Sequence, residues 1–283
     1  MKPAAAMRFY ALAVYLFLYA PIALIVLFSF NAGTYATDLR GFSLRWYGVA
    51  AANPFVMEAL RNSLVVALAS AGMATVFGSA AALALQRVKG GLRAAFDALT
   101  YVAIMVPGIV IGISTLIALV AAFDAINPLL AALWPGDPAR APRLGLGLGS
   151  IIAAHSLFAM ALVIVIVRAR IMGMDRTLIE ASADLYATPW GTFRQVTLPM
   201  ILPAVVAGFL LSFTFSFDDF VIAFFVAGSN TTLPIYVFAS IRRGVTPEIN
   251  AIGTVVLAVS LLLLFGSQFL LRRGARKVRA AAA

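Results

Sequence analysis

Two carboxylates, Asp218 and Asp219, stand side by side inside a run from Met200 to Val226 that is otherwise apolar. A charged Asp at the centre of a membrane helix costs about 2.5–3.5 kcal/mol on insertion scales, so such residues ordinarily mark an ion or substrate path. The chemistry open to the pair is that of a counter-charge, which exchanges part of a cation's hydration for direct contact. Neighbouring helix positions diverge by about 100°, so one acid is expected to face the path with Ser216 and Phe220 beside it, while the other finds a partner. Flanking Phe217, Phe224 and Phe225 either meet lipid or offer ring faces to an ammonium. From Ala204 to Asp218 the helix rises about 21 Å, which puts the pair in the outer third of a hydrocarbon core about 30 Å thick. The competing expectation is that the helix breaks near Ser216 and the acids cap a new turn at the outer interface.

A second constellation fills the polar stretch from Met172 to Pro199. Thr177 and Glu180 have the spacing of a capping box, and Leu178, Ala181 and Leu185 then recur at helical spacing. Thr188-Pro189 is a second start signal, leading into Trp190, Phe193 and Val196. Pro199 and Pro203 are expected to end this piece and open the next apolar run. Two short helices lying across one membrane face follow. They would suit a lipid surface, except that Asp175, Glu180 and Asp184 would be repelled by anionic headgroups. A protein partner fits better.

The elements that must carry these residues are set by composition. Hydrophobic residues make up 63% of the 283 and charged ones 11%, against about a quarter charged in a soluble domain. Apolar runs span residues 9–30, 62–85, 99–123, 148–167, 200–226 and 251–271, each about the length that crosses a bilayer. The first exceeds the apolar stretch of a cleaved signal peptide, and none shows the alternation of a barrel strand. An all-α integral membrane protein of six transmembrane helices, in one domain, is expected. Lys and Arg number fourteen at the two ends and in the even-numbered connections, against seven in the other three. Basic residues stay on the cytoplasmic side, so both termini should lie there.

Several chemistries are excluded or made remote. The net charge of +10 is dispersed between apolar runs rather than gathered on one face, which argues against nucleic acid. There is no cysteine for a disulfide or thiolate metal site. The one histidine, His155, lies in an apolar run, where a packed or hydrogen-bonded role is expected over a ligand's. No phosphate-binding Gly-x4-Gly-Lys-Ser/Thr loop occurs, so ATP and Mg, if used, belong to another chain.

Glu180-Ala181-Ser182, three residues, Tyr186, nine residues, then Val196-Thr197-Leu198-Pro199 resembles the signature loop of bacterial ABC-importer permeases. Ser182, Tyr186 and Val196 replace that pattern's Ala, Gly and Ile. Because glycine adopts backbone conformations closed to other residues, the turn at Tyr186 is expected to be made differently. The resemblance implies a type I importer permease fold in the bacterial inner membrane and a loop that docks into an ATPase subunit. Glu180 would pair with a basic group there, with Ala181, Ser182, Asp184, Leu185, Tyr186, Trp190 and Phe193 in or beneath the joint.

The stretch Ser216-Phe217-Asp218-Asp219-Phe220-Val221-Ile222, together with Thr232-Leu233-Pro234 and Gly244-Val245-Thr246-Pro247-Glu248, is similar to the spermidine/putrescine permeases. Phe42-Ser43-Leu44-Arg45-Trp46-Tyr47 extends the similarity toward the amino terminus. Trp46 is expected either to anchor the outer interface or to take part in cation recognition. The resemblance implies a second homologous permease, an ATPase dimer, a periplasmic solute-binding protein and a small cationic substrate. Alternatives are another solute, an ion-coupled transporter or a non-transporting scaffold.

Overall fold

A computed structural model describes residues 3–35, 38–175 and 177–262. The elements are α1 (Pro3–Ser29), α2 (Arg45–Ala52), α3 (Pro54–Ala84), α4 (Gly90–Met105), α5 (Gly108–Leu133), α6 (Leu148–Met172), α7 (Thr177–Asp184), α8 (Pro189–Thr192), α9 (Leu198–Asp218), α10 (Val221–Val226) and α11 (Leu233–Arg243). The helix Pro247–Leu262 is α12. Among the described residues, five stretches are long and apolar enough to cross a membrane: Met7–Ser29, Pro54–Ala84, Gly108–Leu133, Leu148–Met172 and Pro189–Asp218. Helices satisfy their own backbone polar groups, as hydrocarbon demands. The sixth expected run, 251–271, passes beyond the described residues, and so does the basic tail.

Two expected spans are broken. The third run is not one helix from Leu99 to Phe123: α4 stops at Met105, and Val106 is extended with φ −67° and ψ 131°. A proline ring disfavours the helical region for the residue before it, and Pro107 follows. α5 then runs to Leu133, so Asp124 lies within a helix rather than at its end. The fifth run stops at Asp218, passes through an extended Asp219 with φ −71° and ψ 120°, and resumes as α10.

The chain falls into two compact units, one of Glu58–Ile235 and one of the segments that flank it. In the first, α6 is the central helix and packs against α4, α9 and α10. One apolar cluster joins Val66, Ile151, Ala154, Ile222, Ala223 and Val226; a second joins Ala74, Ala82, Ala159, Val163 and Val167. The second cluster depends on small residues. A Cβ at Gly78 would lie 2.9 Å from Val163 Cβ and 3.0 Å from the Met160 carbonyl, so only glycine lets α3 approach α6 this closely. Toward the far end of α6, Arg168 forks across both carboxylate oxygens of Asp97 on α4, and Arg93 stands 3.9 Å from the same group.

In the flanking unit, buried Asn31 uses its whole hydrogen-bonding capacity. Its amide donates to the carbonyls of Tyr35 and Asp38 and its oxygen accepts from Gly33 and Arg40. One side chain thereby ties Gly33, Tyr35, Asp38 and Arg40 together just after α1.

Candidate substrate path and docking loop

The break after α9 separates the roles of the two acids. Asp219 turns inward: Oδ2 accepts from the amides of Ile222 at 2.9 Å and Ala223 at 3.1 Å, and so caps α10. Its side chain is 10% exposed, and the same oxygen stands 3.2 Å from His155 Nε2. That approach is oblique, so Nε2 completes no hydrogen bond among the described residues despite its burial. His155 Nδ1 lies 2.7 Å from Ser216 Oγ, which also accepts from Ser70 Oγ on α3 at 2.8 Å. Ser216 is therefore engaged in the interior of its unit, at 4% exposure.

Asp218 differs. It is exposed on the surface of the chain and makes no hydrogen bond or ion pair among the described residues. Thr214, one turn earlier, and Leu211, two turns earlier, are exposed with it, as expected for one helix face. Phe217 stacks on Phe213 with centroids 5.9 Å apart, and Phe220 tilts against Phe224 at 5.3 Å. The sequence suggested capping and a path-facing acid as rival accounts of this pair; the geometry gives capping to Asp219 and leaves Asp218 projecting.

Trp46 belongs to the flanking unit, on α2. Its indole N–H donates to the Gly33 carbonyl at 3.1 Å, and the Arg45 guanidinium lies 5.4 Å over its ring. The ring thus already meets a cation of its own chain.

The loop between α6 and α9 is ordered by short-range bonds. Asp175 Oδ1 accepts from both the amide and the hydroxyl of Thr177, and these bonds hold its carboxyl below the usual carboxylate range. The helix start is thus capped by Asp175, not by the Thr177/Glu180 box expected from spacing, because Thr177 is already the first helical residue. At the far end of α7, Tyr186 occupies the left-handed region with φ 57°. Ala187 N–H donates to Ser182 O at 3.1 Å and Tyr186 N–H to Ala183 O at 2.9 Å, the paired bonds of a helix stop that usually has glycine at this place. The turn is therefore not made differently, as its residue suggested; tyrosine adopts the glycine conformation.

Thr188 Oγ1 accepts from Gly191 N–H and caps α8, and Ser182 Oγ lies 2.9 Å from Thr192 Oγ1, joining α7 to α8. Trp190 stacks on Phe193 at 5.4 Å. Pro199 and Pro203 do not end this piece: α8 continues through a π turn at Phe193–Thr197 into α9. A wider turn before Pro199 relieves the clash of its ring with the carbonyl four residues back. Glu180, Ala181, Asp184, Leu185, Tyr186 and Trp190 are all exposed. Behind the loop a cavity of about 860 Å³ is lined by Leu83, Arg87, Ile171, Glu180 and Phe193, among others.

Residues 74–280 match the family of binding-protein-dependent transport system inner membrane components. The chain belongs to that family. It is 39% identical over 264 residues to the putrescine transport system permease protein PotI of Escherichia coli K12, covering 92% of this chain and 89% of that protein. It is 34% identical over 263 residues to the spermidine/putrescine permease PotC of the same strain, covering 92% and 91%. Among solved structures it resembles a chain of a bacterial ABC transporter that imports alginate, with TM-score 0.70, 17% identity and 95% of each chain covered. A chain of the MetNI methionine ABC transporter follows at TM-score 0.53 and 18% identity, covering 79% of this chain and 94% of that one. The fold of the chain is that of ABC-importer permeases, and the chain is an inner-membrane permease of this class.

The expected hydrogen-bonded role of His155 holds, but sequence reasoning did not place it beside the break or bring Ser70 into the same network. A lone histidine in an apolar run has many explanations, and Ser70 lies 146 residues from the serine it binds.

Proposed function

We propose that this chain, with a second homologous permease, encloses the path by which polyamines such as putrescine and spermidine are imported. In this reading it crosses the bacterial inner membrane six times with both termini in the cytoplasm. A periplasmic solute-binding protein delivers the substrate, and a separate ATPase dimer holds ATP and Mg and grips the loop between α6 and α9. Opening and closing of the docking joint swings the two permeases, and the path changes its accessible side. No bond is broken on this chain.

The observation that carries the reading is Asp218, an exposed carboxylate in a bilayer-spanning segment with no protein partner among the described residues. Facing lipid it would cost several kcal/mol. Facing a hydrated path it offers an ammonium group a direct contact in place of part of its water. The similarity to permeases named for putrescine and spermidine supports the same cargo. Asp219, held by two amides beside His155, is the support of this site, and Ser216 stands behind it; Phe220 lies between that support and α10. Trp46 is given an anchoring role at the outer side.

The test is reconstitution in vesicles with the second permease, the ATPase and the binding protein. ATP-dependent accumulation of putrescine or spermidine that survives collapse of ion gradients is expected. Uptake that disappears with those gradients would establish an ion-coupled transporter instead. ATP-driven uptake of some other solute, with polyamines ignored, would keep the importer and discard the cargo.

A further inference from the structure

The break between α9 and α10 rests on a chain of buried groups that begins on another helix. Ser70 Oγ on α3 donates to Ser216 Oγ on α9. Ser216 Oγ and His155 Nδ1 lie 2.7 Å apart, and with Ser216 as the donor the imidazole accepts there. A neutral imidazole that accepts at Nδ1 carries its proton on Nε2, and Nε2 is the atom 3.2 Å from Asp219 Oδ2. His155 is 1% exposed and Ser70 fully buried. In that arrangement the donors run from α3 toward the carboxylate at the break.

We infer that His155 is a positioning residue for Asp218, acting through Asp219. Asp219 needs its carboxylate on the amides of Ile222 and Ala223 to start α10 where it does. A buried carboxylate with two donors still has acceptor capacity left, and Nε2–H is the polar group placed to neutralise it from the interior side. With Asp219 so held, α9 must end at Asp218, and the Asp218 carboxylate projects from the chain. Replace the imidazole by an apolar side chain and the Asp219 charge loses its interior support. Asp219 then turns toward solvent, the break loosens, and Asp218 loses its fixed direction. This inference rests on the reading of Asp218 as the residue that faces the path.

The chain contains no cysteine, so Asp218→Cys gives a single thiol whose direction can be read without reference to any cargo. In the assembled complex in detergent, the rate of modification by a cationic methanethiosulfonate is measured with His155 intact and with His155→Leu, His155→Gln and His155→Asn. The amide nitrogen of Gln reaches about as far as Nε2, whereas that of Asn reaches only the position of Nδ1 and can serve Ser216 but not Asp219. His155→Leu and His155→Asn should slow modification roughly tenfold, and His155→Gln should stay within about threefold, the scale of losing or keeping a polar N–H that faces a buried carboxylate in a low-dielectric interior. Equal rates in all four overturn the inference, as does rescue by Asn equal to that by Gln, which would assign His155 to packing against Ser216. Should the Leu complex not assemble, the Gln and Asn arms decide. If the Asp218→Cys thiol resists modification even with His155 intact, the path-facing reading on which the inference stands is removed instead.

Discussion

The Ala187 amide donates to the Ser182 carbonyl at 3.1 Å across a tyrosine with φ 57°. A left-handed backbone costs an L-residue roughly 1–2 kcal/mol, and glycine avoids that cost. Tyr186 nevertheless holds the conformation while 96% exposed, so among the described residues the turn's backbone bonds, not side-chain packing, offset the strain. Tyr186→Gly should keep the turn and slow hydrogen exchange at the Ala187 amide about fivefold, the effect of roughly 1 kcal/mol on a local opening. Tyr186→Pro, whose ring fixes φ near −65°, should abolish that protection. Faster exchange in the glycine variant would show that the tyrosine ring itself stabilises the turn.

Glu180 lies on the exposed side of α7, on a loop tied together by the Ser182–Thr192 contact. Under the proposed docking, its charge meets a basic group on the ATPase. Glu180→Lys should leave the permease inserted and assembled yet lower ATP-driven uptake at least tenfold, since like charges across an interface cost several kcal/mol. Uptake in vesicles, measured alongside basal ATP hydrolysis, separates uncoupling from loss of the complex. Unchanged uptake would remove Glu180 from the joint.

The apolar helices and the short helices α7 and α8 were legible in sequence because both are local. Apolar runs of the right length must become helices in lipid, and Thr188-Pro189 marked the start of α8 correctly. Pro107 breaks the third run at Val106, and the apolar residues on both sides hide that break in a reading based on hydropathy. The division of labour between Asp218 and Asp219 was not legible. It depends on His155 and on the Ser70 hydroxyl, which reach the break from α6 and α3 through tertiary packing. Tyr186 misled for a different reason: residue type biases a backbone conformation but does not forbid it.

Arg168 and Asp97 join α6 to α4, and the paired hydrogen bonds from the guanidinium hold the Asp97 carboxyl below its ordinary value. A depressed carboxyl pKa stabilises the fold at pH values above the unfolded-state pKa, and that contribution is lost as pH falls through the folded-state value. The thermal midpoint of the wild type should therefore exceed that of Asp97→Asn at neutral pH. The gap should hold down to about pH 4 and close below it. A gap that is constant at every pH, or absent at neutral pH, would show that the pair does not join the two helices energetically.

Asp218 supplies the most direct check on cargo. Asp218→Asn keeps size and hydrogen-bonding capacity but removes the charge, so it separates electrostatics from shape. If the carboxylate meets an ammonium in a water-excluded path, its loss should slow polyamine uptake about tenfold or more, the scale of a charged hydrogen bond. Asp218→Glu, which retains the charge on a longer arm, should recover part of that loss. Asp219→Asn should act differently, because an amide oxygen still accepts from Ile222 and Ala223 and only the charge beside His155 disappears. Its uptake should fall less than that of Asp218→Asn, while modification of a cysteine introduced by Asp218→Cys should slow. Equal and full activity of both amide variants would mean that neither carboxylate touches the transported cation.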